Sequence, residues 1–131
     1  MTQHASGTFD VKLSPQKSDS LEAERAKHGR MSIDKQYHGE LNGVSAGEML
    51  SAMTGKDSGV YVAIERVQAT LNGRKGAFLL QHSGVMTRGA QQLKIAVVPD
   101  SGEEELVGIM GAMNIKIENG RHYYEFDYTL P

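Results

Sequence analysis

Apolar and polar residues alternate along most of this chain. A period of two is what a half-buried strand requires, because successive side chains point to opposite faces of a sheet. The first clear run is Thr8–Leu13, which places Phe9, Val11 and Leu13 on one side. Pro15 is expected to end it, since proline cannot donate to a strand ladder. Further runs at 30–41, 44–53, 59–71, 74–87, 90–98, 112–118 and 121–129 bring the expected strands to eight.

Two stretches break the alternation. Residues 16–30 (QKSDSLEAERAKHGR) are polar and charged, and Asp19 with Glu22 fits a capping pair, so a short helix or charged loop is expected there. Residues 100–111 (DSGEEELVGIMG) are acidic and then apolar, which suggests a loop with a helical turn near 103–110 tucked over one open end.

The connections between the strands are short. Asn42-Gly43, Asn72-Gly73 and Asn119-Gly120 each separate two alternating runs. Asn-Gly accepts the positive φ angles of a two-residue hairpin turn, whose twist matches that of paired strands. Arg88-Gly89 is read as a fourth such turn. Eight strands joined this way predict an all-β fold, a closed eight-stranded antiparallel meander barrel in one domain over 1–131. Closure removes the edges at which open sheets aggregate.

A tight turn fixes register, and register decides which residues share a face. The turn at 72–73 pairs Val67 with Phe78, Glu65 with Leu80, Ala63 with His82 and Tyr61 with Gly84. The turn at 88–89 pairs Leu93 with Gly84, Ile95 with His82 and Val97 with Leu80. Both put Phe78, Leu80, Leu93, Ile95 and Val97 on one face, which is therefore the expected interior. The turn at 119–120 sets Met113, Ile115 and Ile117 beside His122, Tyr124, Phe126 and Tyr128. The turn at 42–43 would pair Tyr37 with Glu48 and Lys35 with Leu50. The opposite face leaves Val60, Val62, Ile64, Leu79, Val85, Ala96 and Val98 outside, an apolar wall that predicts a homo-oligomer.

The expected lumen carries more polar groups than a packed core needs: Lys35, Tyr37, Glu48, Tyr61, Glu65, His82, His122, Tyr124 and Tyr128. Glu65 and His82 are diagonal neighbours, about 7–8 Å apart at the backbone and within side-chain reach. They form the candidate catalytic pair, the carboxylate orienting the imidazole for proton transfer. The plainer reading is an interior ion pair, because buried charges must be paired whatever their role. Lys35, Tyr37, Glu48, Tyr61, Phe78 and Tyr124 are the candidate ligand-binding residues, although a lysine can also snorkel out of a barrel mouth.

Composition narrows the chemistry. With 131 residues and no cysteine, the chain is long enough for one core without disulfides, and thiolate chemistry is excluded. The five histidines show no ligand spacing, so neither a metal nor a cofactor is expected. A net charge of −2 with interspersed signs gives no basic stripe for nucleic acid. No apolar run is long enough for a membrane helix, and the polar start at Met1–Asp10 does not look like a secretion signal. A cytoplasmic location is expected. Gly73-Arg74-Lys75-Gly76 lies in a hairpin rather than before a helix, and Ser83 lacks the glycine spacing of a nucleophile elbow.

The run ERVQATLNGRKGAFLLQHSG at 65–84 resembles the signature of a bacterial family known as domain of unknown function 3224. Glu65, Arg66, Thr70, Leu71, Gly73, Arg74, Gly76, Phe78, Leu80, Gln81, His82, Ser83 and Gly84 carry the likeness. Ala69 and Ala77 stand where the family often has Gly and Ser. The resemblance implies a closed barrel similar to that of allene oxide cyclase, and it implies no activity. Three functions are therefore expected to compete. The first is a small-molecule-binding barrel taking a small, partly apolar ligand in its lumen. The second is a cofactor-independent isomerase, cyclase or lyase using Glu65 or His82, and the third is an oligomeric interaction protein with a filled interior.

Overall fold

A computed structural model describes residues 1–16 and 28–131. Its strands are β1 (Gln3–Gln16), β2 (His28–Gly39), β3 (Leu41–Met53), β4 (Gly59–Leu71), β5 (Arg74–Thr87), β6 (Ala90–Val97), β7 (Glu103–Glu104), β8 (Met110–Glu118) and β9 (Arg121–Thr129). Each long strand pairs antiparallel with the next, and β1 also pairs with β9, so eight strands close a meander barrel. The two-residue β7 lies outside the ring and pairs with β5 at Gly76 and Ala77, beyond the reach of β6. Among the described residues there is no helix, and so none long and apolar enough to cross a membrane.

Three expected turns set the ring. Asn72, Arg88 and Asn119 all have positive φ, as do the glycines that follow them. The registers they impose are those expected, with Glu65 opposite Leu80, Ala63 opposite His82, Ile95 opposite His82 and Ile115 opposite Tyr124.

The fourth turn lies elsewhere. The β2–β3 bend centres on Glu40, with Gly39 at φ +112, and pairs Tyr37 with Gly43 and Lys35 with Ser45. Asn42-Gly43 lies inside β3, opposite Thr70 and Ala69 of β4. A Cβ at residue 43 would run into Ala69, so this glycine serves close strand approach rather than reversal. The offset from the expected register is an odd number of residues, which turns the β3 faces over: Ser45 points inward and Glu48 outward.

Two further expectations are corrected. β1 runs through Pro15, because past Phe9 it no longer pairs with β9 and the proline costs no ladder bond there. Residues 103–109 hold β7 and successive i→i+3 turns in place of a helical turn. They do tuck over one end, where Leu106 and Ile109 are buried. The helix or loop expected at 16–30 falls mainly on 17–27, outside the described residues, while Gln16 and residues 28–30 are strand.

The core fills that closed end. Phe78 stacks on Phe126 at 5.6 Å and Phe126 on Tyr128 at 5.3 Å, amid Leu41, Leu71, Leu80 and Met113. The opposite end is open. There the inward positions Leu13, Leu93 and Ile117 remain exposed, the last at 66%.

Candidate functional site

Inward positions alternate along β4 and β5, so Tyr61, Ala63 and Glu65 descend from the open mouth while Gly84 and His82 descend beside them. Glu65 lies in the middle of the barrel, fully buried. A charge there is tolerable only if every lone pair finds a donor. Its Oε1 accepts hydrogen bonds from Lys35 Nζ at 3.0 Å, Tyr37 Oη at 3.0 Å and His82 Nε2 at 2.8 Å. Its Oε2 accepts from Ser45 Oγ at 2.5 Å. The expected pair of Glu65 and His82 is thus brought together, inside a cluster that also holds Lys35 and Tyr37.

Ser45 was not among the expected site residues. It reaches Glu65 because the β2–β3 bend lies at Gly39–Leu41, and only that displaced turn would have signalled it. Glu48 is the converse correction. It sits outside the barrel opposite Ser32 and bonds Arg30 at 2.8 Å.

Burial pushes the Glu65 carboxyl up, but the His82 hydrogen bond, the Lys35 charge, the Ser45 hydrogen bond and the His82 charge outweigh it and bring it down to about 2. Burial, followed by the charge of Glu65, holds the Tyr37 hydroxyl well above its usual range, so it stays a donor. Lys35 is sheathed as well as paired, its ammonium 4.8 Å from the Phe9 ring centre.

The tyrosines divide by depth. Tyr124 is buried with its hydroxyl 3.0 Å from Leu41 N, Leu41 O and His38 O, which ties down the Gly39–Leu41 bend. Tyr128 accepts from Asn72 Nδ2 at 2.7 Å and so holds the 72–73 turn. Phe78 is buried in the core. Tyr61 is different: it is half-buried at the mouth, its ring centre 6.5 Å from that of His82. A Cβ at residue 84 would strike the Tyr61 ring, so Gly84 makes its place. His122 packs at 5.1 Å on Phe9, the ring that also covers Lys35, and is not among the donors to Glu65.

Beside Tyr61 and Gly84 the mouth opens into a cavity of about 420 Å³. Met49, Met53, Tyr61, Gly84, Met86 and Leu93 line its inner wall. The seam between β6 and β8 joins only at Ile95–Met113 and Ala96–Ala112, so toward the mouth Leu93 and Ile117 flank an unpaired slot.

The outer wall over β3, β4 and β5 exposes Leu50, Val60, Val62, Ile64 and Val85, each about half accessible. Leu79, Ala96 and Val98 are partly covered.

Comparison with known proteins agrees with this architecture without supplying an activity. No curated protein matches the chain. The crystal structure of a protein of unknown function from the DUF3224 family of Shewanella oneidensis MR-1 is 48% identical, with a TM-score of 0.93 over 100% of this chain and 98% of that one. The family model described as "Protein of unknown function (DUF3224)" matches residues 5–128, and the chain belongs to that family.

Proposed function

We propose that this barrel binds a small apolar molecule in its open mouth. The observation that carries the reading is the unfilled cavity of about 420 Å³, walled by inward-facing Met49, Met53, Met86, Leu93 and Tyr61. That volume falls within the usual range for small-ligand sites, which are concave and mostly apolar. Methionine adapts its shape and contacts aromatic faces favourably through sulfur, so flat apolar ligands fit best. Glu65 favours this reading over one in which it acts as the proton acceptor. A carboxylate held near 2 with both oxygens engaged is a weak base at neutral pH. Its part is to hold Lys35, Tyr37, Ser45 and His82 together in the barrel interior.

Calorimetric titration with 2-methoxynaphthalene tests the proposal. Binding is expected for the unmodified protein, to be lost in Leu93→Lys and retained in Val62→Lys, which alters only the outer wall. No binding, or binding lost with Val62→Lys alone, would reject the mouth as the site.

A second observation favours self-association. The apolar outer wall is flanked by Arg30 paired with Glu48 on one side and Arg66 paired with Glu103 on the other. A surface edged by both signs complements a second copy of itself better than a partner of single charge. Sedimentation velocity is expected to show an oligomer that Val62→Lys dissociates, and a monomer at high concentration would exclude it.

A further inference from the structure

Of the seven methionines in the chain, three line the mouth cavity: Met49, Met53 and Met86. None of these belongs to the buried core, whose one methionine is Met113 at the filled end. Met53 is 41% exposed, and Met49 and Met86 are half-buried. A Cβ on Gly59 would stand 2.5 Å from Met53 Sδ, so this sulfur lies over the bare backbone of another residue in the cavity wall. Met86 Sδ is 3.9 Å from Gln91 Nε2, again within that wall. A thioether sulfur is open to two-electron oxidation, and these are set where a ligand would lie and a small oxidant can arrive.

The same wall is furnished for the oxidised product. Methionine sulfoxide carries a polar, chiral S–O group, which needs a donor wherever it is partly buried. Gln91 Nε2 already donates to Met86 Sδ, and Ser51, Tyr61 and Gln92, which also carry donor groups, line the cavity too. No carboxylate lines it among the described residues, so no negative charge opposes the sulfoxide oxygens. Oxidation here changes the polarity of the mouth without altering a core side chain.

We infer that the methionines of the mouth form an oxidation site that controls binding: a hydroperoxide converts them to sulfoxides, and the mouth releases its apolar ligand. In each event the sulfur lone pair attacks one peroxide oxygen, the O–O bond breaks and an S–O bond forms. The displaced oxygen leaves as water or an alcohol, carrying the proton of the transferred one. Sulfur gives up two electrons and the peroxide accepts them. Met110 supplies an internal comparison, because it is 44% exposed like Met53 but lies at the filled end. This inference rests on the proposal that the mouth is a ligand site.

The test is graded treatment of the full chain with hydrogen peroxide. Peptide mapping by mass spectrometry reads which methionines have gained oxygen. The emission of 2-methoxynaphthalene reads binding, with no tryptophan in the chain to interfere. Conversion of Met49, Met53 and Met86 is expected to weaken the probe about tenfold, the effect of setting polar groups against an apolar ligand. The midpoint of urea unfolding is expected to hold, and oxidation at Met1 and Met110 alone to leave binding unchanged. Methionine sulfoxide reductases, one for each sulfoxide epimer, are expected to restore the lost affinity. The triple variant Met49→Leu, Met53→Leu, Met86→Leu keeps an apolar wall of similar volume and is expected to bind the probe before and after peroxide. Should that variant not fold, rescue of the unmodified protein by the reductases decides. Unchanged binding once all three are oxidised, thioethers that survive while Met110 converts, or a loss of affinity that tracks unfolding would each overturn the inference and leave the mouth as a binding site. Failure of the probe to bind the untreated protein would overturn the binding proposal and this inference with it.

Discussion

Glu65 gathers four donor side chains from three other strands, and its consequences for stability follow from that crowding. Replacing it with glutamine leaves the Lys35 ammonium buried without its counter-charge. Removing one partner of such a pair costs about 3 kcal/mol or more, and the midpoint of urea unfolding is the measure. The same carboxylate sets an acid limit. Its pKa is lowered on folding from 4.5 to about 2, so its contribution is complete above pH 4.5 and is lost as pH falls through about 2. The amount is on the order of 3 kcal/mol. Unfolding midpoints should therefore drop between pH 4.5 and 2 in the parent and much less in Glu65→Gln. A parent whose stability is flat across that window would contradict the ion-pair cluster. At residue 39 the argument is backbone strain: Gly39→Ala forces a Cβ at φ +112, 2.7 Å from the Ser6 carbonyl oxygen. About 2 kcal/mol of destabilisation is expected, read from the same unfolding curves.

Among the strands, the seam between β6 and β8 is the weak member of the ring. The neighbouring β4–β5 pair is in register from Gly59–Met86 to Leu71–Arg74, whereas β6 and β8 meet at two positions. Amides of Gln91–Lys94 and Asn114–Glu118 that face the slot are expected to exchange with solvent much faster than those of β4 and β5. Uniform protection around the barrel would show the slot to be closed. The elements also show what could be read from the residues alone. Asn72-Gly73, Arg88-Gly89 and Asn119-Gly120 were legible because left-handed backbone at a turn restricts the residue types allowed. Asn42-Gly43 carries the same letters for another reason: its glycine answers crowding from Ala69 across the sheet, a contact that only the assembled barrel reveals. That one ambiguity exchanged Ser45 for Glu48 in the expected site. The length of β1 was hidden in a similar way, since whether Pro15 ends a strand depends on which side of it is paired.

Taken whole, the barrel is asymmetric along its axis. Aromatic stacking and the 103–109 segment fill one end, the Glu65 cluster is buried midway, and a cavity lined in part by methionines lies toward the other end. The sequence located the closed ring and most of the inward residues, including Glu65 beside His82. It did not show which end stays empty, because exposure of Leu93 and Ile117 depends on how far β6 and β8 diverge. Methionine methyl groups report on this division directly. In protein labelled with ¹³C at the methionine methyls, 2-methoxynaphthalene is expected to shift Met49, Met53 and Met86 and to leave Met110 and Met113, at the filled end, unmoved. Shifts confined to Met110 and Met113, or none at saturating probe, would contradict a ligand site at the open mouth.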